Sequence, residues 1–327
     1  MIITKTPFRV SFCGGGSDIS TFYREHGGCV VSTSINRYMY VSVHPYFSEN
    51  QTALKYSQTE IVDDIKDIKH SIFKCVLNDM DVKGVEITST ADVPSGTGLG
   101  SSSAFTVGLI HSLYCYKGKY VSKTELADKA CKVEIEKLGN PIGKQDQYAS
   151  ACGGLNFISF HQDDTVSVEP IIIRPETLQE LQDNIVVFYT GLTHDANEIL
   201  AEQKKNSSQA DKTKNLIRMC ELAKDMKKSL ESNDLSDFGK MLDEGWQKKK
   251  ELAKGIVNPT IDGIYNLAIE NGASGGKLLG AGGGGFLLFY CEKYKQKNLL
   301  EKMNLKQFPI RFEHDGTSVV YIGDKYW

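Results

Sequence analysis

The segment Pro94-Ser-Gly-Thr-Gly-Leu-Gly-Ser-Ser-Ser-Ala-Phe105 constrains the fold of this chain more than any other. Before it, residues 84–90 (GVEITST) alternate in the manner of a strand; after it, AFTVGLIHSLYCY carries apolar residues at helical spacing. Small residues between a strand and a helix let backbone N–H groups surround an anion, and the helix terminus adds unpaired N–H groups and a positive dipole end. Such a loop suits phosphate. It lacks the Gly-Lys-Ser/Thr of a Walker A loop, and it is not a GxGxxG dinucleotide turn with an acidic residue downstream. The same glycines also suit a tight turn with no ligand, so the choice rests on what accompanies them.

Three further segments bear on that choice. Gly280-Ala-Gly-Gly-Gly-Gly285 precedes the apolar run FLLFY, where backbone must approach something that side chains would exclude, either a ligand or a neighbouring element. Phe12-Cys-Gly-Gly-Gly-Ser-Asp18 places a carboxylate just past a glycine turn, as a functional group or as the cap of a helix beginning at Ile19. Gly139-Asn-Pro-Ile-Gly-Lys-Gln-Asp-Gln147 brings Asp146 to the start of a short helix, where capping is the ordinary role. Ahead of it, residues 122–138 read as one helix opened by a capping box, Ser122 with Glu125 three residues on. On that helix Ala127, Ala130, Glu134 and Leu138 fall on neighbouring faces, which sets the Glu134 carboxylate at the edge of the buried side.

The rest of the chain narrows the class. A length of 327 residues with 40% hydrophobic residues exceeds the usual single domain and predicts two lobes, the first ending near residue 180. A net charge of -3 argues against a nucleic-acid partner. Eight cysteines scattered without CxxC or Cys/His metal spacing read as reduced core thiols. No apolar run approaches the about 20 residues of a membrane span, and MIITKTPFRV has no apolar leader core, so a soluble cytoplasmic protein is expected. Residues 28–46 read as two strands joined by a turn near Asn36-Arg37. Residues 194–254 read as long solvated helices, with 204–215 their most polar stretch, and His111 and His194 read as structural or solvated.

Taken together and in this order, the four glycine segments resemble the signature of the GHMP kinases, the family of galactokinase, homoserine kinase, mevalonate kinase and phosphomevalonate kinase. PSGTGLGSSSA is similar to the family's PxxxGLGSSAA phosphate loop and KLLGAGGGGF to its C-terminal glycine motif. VEIEKLGNPIGKQDQ resembles the galactokinase segment in which a Glu is followed by Gly-x-Pro-x-Gly and Asp-Gln. The opening Arg9-Val-Ser-Phe-Cys-Gly-Gly-Gly-Ser-Asp18 shares Arg and Asp with galactokinases but lacks their Glu-His pair. It resembles instead the heptose 7-phosphate kinases and the kinase part of bacterial fucokinases, and FYREHGGCVVSTSINRYMYV resembles the heptose 7-phosphate kinases.

The resemblance implies an α+β, two-lobed fold. An N-terminal lobe similar to ribosomal protein S5 domain 2 (1–180) would bind ATP, and a ferredoxin-like C-terminal lobe (181–327) would close the site. It implies a sugar kinase using ATP and Mg²⁺. Nucleotide phosphates would lie along Pro94, Gly96, Gly98, Leu99, Gly100, Ser101, Ser102 and Ser103, with Gly282 and Gly283 opposite; Ser102 and Glu134 would hold the metal; Asp146 and Arg9 would be catalytic. Substrate would meet Gly14, Gly15, Gly16, Ser17, Asp18 and Lys144, whose amides, hydroxyl and ammonium also suit a second phosphate. The acceptor implied is the C1 hydroxyl of D-glycero-D-manno-heptose 7-phosphate, made into the 1,7-bisphosphate for nucleotide-activated heptose and surface polysaccharide. A fucokinase or another anomeric sugar kinase is the alternative; a non-catalytic sugar-sensing relative would not need Ser102, Glu134 and Asp146 together.

Overall fold

The structure, a computed structural model, describes residues 1–192 and 196–323; His194 lies outside the described residues. Among these the strands form two sheets. The larger contains β1 (Ile2–Cys13), β2 (Gly28–Pro45), β3 (Thr52–Lys55), β4 (Thr59–Val62), β5 (Val85–Ala91), β6 (Leu155–Phe160) and β7 (Val166–Pro170). The smaller is built on β8 (Ile185–Tyr189), β9 (Gly275–Leu278) and β10 (Phe286–Tyr290), in the order β11-β8-β10-β9, where β11 is Lys306–Gln307. Two short strands end the chain, β12 (Phe312–Glu313) and β13 (Ser318–Ile322), and they return to the first sheet, where they pair with β2 and β1. From residue 312 the chain thus crosses back to the first sheet.

Strand β2 runs unbroken for 18 residues. The turn expected at Asn36-Arg37 is instead a bulge: the pairing passes from Pro7 opposite Tyr38 to Phe8 opposite Ile35. The polar pair is satisfied from outside the hairpin. Asn36 N donates to Arg311 O, and Arg37 donates to Pro309 O. The bulge divides β2 into an inner half paired with β6 and an outer half paired with β5.

Helices α1 (Ser20–His26), α2 (Ser71–Met80), α3 (Ser101–Tyr116), α4 (Lys123–Cys131) and α5 (Gln145–Cys152) accompany the first sheet, and α6 (Pro175–Asn184) packs on β8 of the second. Because α3 is apolar on nearly every face, it is buried against β1 and β2 from Ser103 to Ile110. Ser122 caps α4 by accepting from Glu125 N, as the capping box predicts. The single helix expected over 122–138 does not continue in α form: Lys132–Lys137 widens into a π-helical turn, which carries Glu134 wholly into the interior. The later helices are α7 (Ala196–Asn206), α8 (Ala210–Glu231), α9 (Phe238–Lys250), α10 (Pro259–Glu270) and α11 (Gln296–Lys302); α9 and α10 pack on the smaller sheet, and α8 packs on α9 and reaches β1 and β2. No helix among the described residues is long and apolar enough to cross a membrane.

Candidate active site

The glycine loop delivers α3 with an open N-terminus. Its N-cap is Gly100, no side chain caps it, and its first turn holds no acidic residue, so the first N–H groups are left for an external acceptor. Pro94 and Gly96 are exposed at the loop's outer edge, whereas Leu99 and Ser103 point into the core and offer only backbone. The C-terminal glycine motif packs on this loop. A Cβ at Gly98 (φ +82) would fall 2.4 Å from Leu279 O, one at Gly280 would fall 2.3 Å from Gly98 Cα, and Gly283 N donates to Ile256 O at 3.0 Å. Backbone against backbone is possible only because both sides are glycine. Gly98→Ala, with a positive φ and a carbonyl in its way, is expected to cost about 2–4 kcal/mol of stability. An unchanged denaturation midpoint would show that the two loops do not abut.

Arg9, near the middle of β1, ties the loop to Asp146. Its Nε donates to Asp146 Oδ1 at 2.6 Å, one terminal nitrogen to Oδ2 at 2.7 Å, and the other to Gly98 O at 2.7 Å. This is a forked charge-assisted pair, with Arg9 only 4% exposed. Asp146 is not a cap: Lys144 is the N-cap of α5, and Asp146 lies in the first turn. Asp18 is not a cap either, since α1 begins after Ile19 without a side-chain cap. The Asp18 carboxylate instead accepts from Gly16 N at 3.0 Å, Gln145 N at 3.1 Å and Gln145 Nε2 at 3.2 Å. Gly143 makes this possible, because a Cβ there would lie 1.9 Å from Asp18 Oδ2. Burial pushes the Asp18 carboxyl above its ordinary value, and the neighbouring Asp146 adds to the rise.

On the other side of the loop, Ser102 Oγ donates to Glu134 Oε1 at 2.6 Å and Gln147 Nε2 donates to Oε2 at 2.8 Å. Glu134 is 0% exposed, and burial pushes its carboxyl above the ordinary value despite these hydrogen bonds. Ser102 is exposed. No three His, Cys, Asp or Glu residues gather into a metal cage among the described residues. The pair nonetheless fits magnesium, which takes one or two protein oxygens and completes its shell with phosphate oxygens and water. Glu134 and Ser102 supply oxygens of that kind side by side.

The cleft beside Asp146 is lined by Arg9, Ser11, Gly15, Gly16, Asp18, Gln145, Gln203 and Lys249, among others. Two expected substrate contacts are not brought there. Ser17 Oγ donates to Cys29 O and accepts from Cys29 N, both at 3.0 Å, so its hydroxyl is spent on β2. Lys144 donates to Asp164 O at 2.8 Å and lies 5.1 Å from the centre of the Tyr23 ring, away from the cleft. Gly14 packs against the Cys29 backbone, leaving Gly15 and Gly16 facing the space.

Two buried lysines were not anticipated. Lys249, on the last turn of α9, donates to Gly280 O, and Lys277, in β9, donates to Phe12 O at 2.9 Å. Burial pushes Lys277 down to about 8. Burial and then the Lys277 and Arg9 charges hold Lys249 well below its ordinary value, against the pull of Asp18 and Asp146. A signal existed for each. Leu242, Gly245, Trp246 and Lys249 recur at helical spacing on the buried face of α9, and Lys277 interrupts an apolar strand.

Comparison with known proteins agrees with this geometry. Residues 67–154 match the family model for the GHMP kinases N terminal domain and residues 226–309 that for the GHMP kinases C terminal. D-glycero-alpha-D-manno-heptose 7-phosphate kinase of Campylobacter jejuni is 32% identical over 321 residues, covering 94% of each chain. The bifunctional fucokinase/GDP-fucose pyrophosphorylase of Arabidopsis thaliana is 26% identical over 91% of this chain but only 31% of that protein. Among solved structures, a D-glycero-D-manno-heptose 1-phosphate kinase from Bacteriodes thetaiotaomicron superposes with a TM-score of 0.81 at 25% identity, over 99% of this chain and 100% of that one.

Proposed function

This chain belongs to the GHMP kinase family and is an ATP-dependent sugar kinase, and from that premise we propose that it phosphorylates the C1 hydroxyl of D-glycero-D-manno-heptose 7-phosphate. The product would be the 1,7-bisphosphate, on a route to nucleotide-activated heptose. The observation that carries the reading is the bridge made by Arg9, which holds the phosphate loop at Gly98 and the Asp146 carboxylate in one grip at the edge of a cleft. The names of the Campylobacter and Bacteriodes relatives support the heptose phosphate.

Phosphoryl transfer asks a protein for position and charge more than for covalent chemistry. The uncapped start of α3 supplies N–H donors to the phosphates of ATP. Asp18, already fixed by three N–H groups, accepts from sugar hydroxyls and orients the ring. The C1 oxygen forms its bond to the γ-phosphorus as the bond to the β–γ bridging oxygen breaks, leaving ADP with the electron pair; Asp146 takes the hydroxyl proton. Arg9 keeps Asp146 aimed and offsets charge near Gly98. Magnesium, held by Ser102 and Glu134, would neutralise charge on the nucleotide phosphates.

A coupled ADP-release assay across sugars and sugar phosphates tests the acceptor, with phosphorus NMR locating the new ester. Heptose 7-phosphate is expected to exceed free heptose in kcat/KM by about tenfold or more, because buried donors left without the second phosphate are costly. Preference for fucose, or equal use of free heptose, would overturn the heptose 7-phosphate reading and leave the sugar kinase intact.

A further inference from the structure

The cleft holds a buried lysine, Lys249, that feels Asp18 and Asp146 from a distance but has no ion pair among the described residues. Arg9 is committed to Asp146 and Gly98 O, and the Asp18 carboxylate is committed to three N–H groups. Lys249 also lines the cleft and is only 5% exposed, yet the acceptor of its ammonium is a neutral carbonyl, Gly280 O. An ammonium has three donors, so two remain. A buried cation in that position is stabilised by an anion brought from outside.

A second orphan lies in the same cleft. Gln203, from α7, is 3% exposed, and its Nε2 has no hydrogen-bond partner among the described residues. It lies directly over the Gly16 backbone, 2.2 Å from the position a Cβ on Gly16 would take. A buried amide donor without an acceptor costs stability unless a ligand satisfies it. Leu200 and Ala281, which also line the cleft, give this wall an apolar surround.

We propose that Lys249 and Gln203 form the subsite that receives the distal phosphate of the sugar phosphate, in place of Ser17 and Lys144, whose polar atoms are spent elsewhere. The proposal rests on the heptose 7-phosphate reading above. It sets the two ends of the substrate on different lobes: Asp146 and Asp18, from the first, meet the reacting hydroxyl and the ring, while α7 and α9, from the second, hold the far phosphate. Lys249 acts by charge and Gln203 by a neutral hydrogen bond, so their removal is expected to change the same selectivity by different amounts.

The test compares kcat/KM for D-glycero-D-manno-heptose 7-phosphate with that for free heptose in the parent, Lys249→Met and Gln203→Leu, with KM for ATP measured alongside. Lys249→Met is expected to cut the phosphorylated-to-free ratio by about 10–100-fold and Gln203→Leu by a smaller factor, mainly through KM for the sugar phosphate. Gln203→Leu removes no charge and reads the same ratio should Lys249→Met fail to fold. A ratio unchanged in both variants would overturn the assignment while leaving the heptose 7-phosphate reading standing. Equal losses on both sugars with a raised KM for ATP would also overturn it, by giving Lys249 to the nucleotide. A parent enzyme without preference for the phosphorylated sugar would fail the substrate reading itself, and the subsite with it.

Discussion

Asp146→Asn is expected to lower kcat on the order of 10²–10⁴-fold, the range typical of a group that moves a proton in the transition state. The amide keeps one oxygen for Arg9 but faces its second N–H with a donor, so one arm of the fork at 2.6 and 2.7 Å is lost. Arg9 keeps its bond to Gly98 O, and the phosphate loop stays where it is. ATP-analogue binding is therefore expected to survive, with a lower melting temperature that the nucleotide partly restores. The decisive number is kcat with both substrates saturating and the fold verified, because a purely structural role lowers the amount of active enzyme and not its turnover. A kcat near that of the parent would remove Asp146 from the chemistry. Capping does not compete as an explanation, since the cap position of α5 belongs to Lys144.

What was legible in advance follows from how local each feature is. The glycine loop and the candidate residues Ser102, Glu134 and Asp146 lie within 94–147, where glycine spacing, an apolar helix and a capping box each leave a mark in a short window. The π-helical turn left none. It changes how far Glu134 is buried without changing the three- and four-residue spacing that pointed to it. The bulge in β2 is satisfied by Arg311 and Pro309, more than 270 residues away, and so reads locally as a turn. The return of β12 and β13 to the first sheet is likewise a long-range pairing. Lys249 was masked by its neighbours: in a run of three lysines only helical phase distinguishes the buried one, and Trp246 supplies that phase. Ser17 and Lys144 mislead for the opposite reason. They sit beside Asp18 and Asp146 in the chain, but their side chains turn to Cys29 and to Asp164.

Glu134→Gln should separate metal chemistry from packing, because the two effects have opposite signs. Burial holds the Glu134 carboxyl above its ordinary value of 4.5. A raised folded value means that the stability this group contributes is present below the unfolded value and is lost as pH rises through the folded one. At neutral pH without metal, the uncharged variant is therefore expected to melt no lower than the parent. The surroundings accept the amide: Ser102 Oγ can receive a hydrogen bond where it now gives one, and Gln147 Nε2 still finds an oxygen. Activity should move the other way. At limiting Mg²⁺, kcat/KM is expected to fall on the order of 10²–10³-fold, as when one group stabilising developing charge is removed. Excess Mg²⁺ should recover part of this, since losing a charged oxygen ligand weakens metal binding without removing the rest of its shell. Ser102→Ala removes the exposed oxygen without touching the charge, and it should share the metal phenotype but not the gain in stability. Magnesium titrations indistinguishable from the parent in both variants would withdraw the pair as metal ligands. A melting temperature lowered in chelator by Glu134→Gln would mark the carboxylate as structural, held by Ser102 and Gln147 for the sake of the π-helical turn.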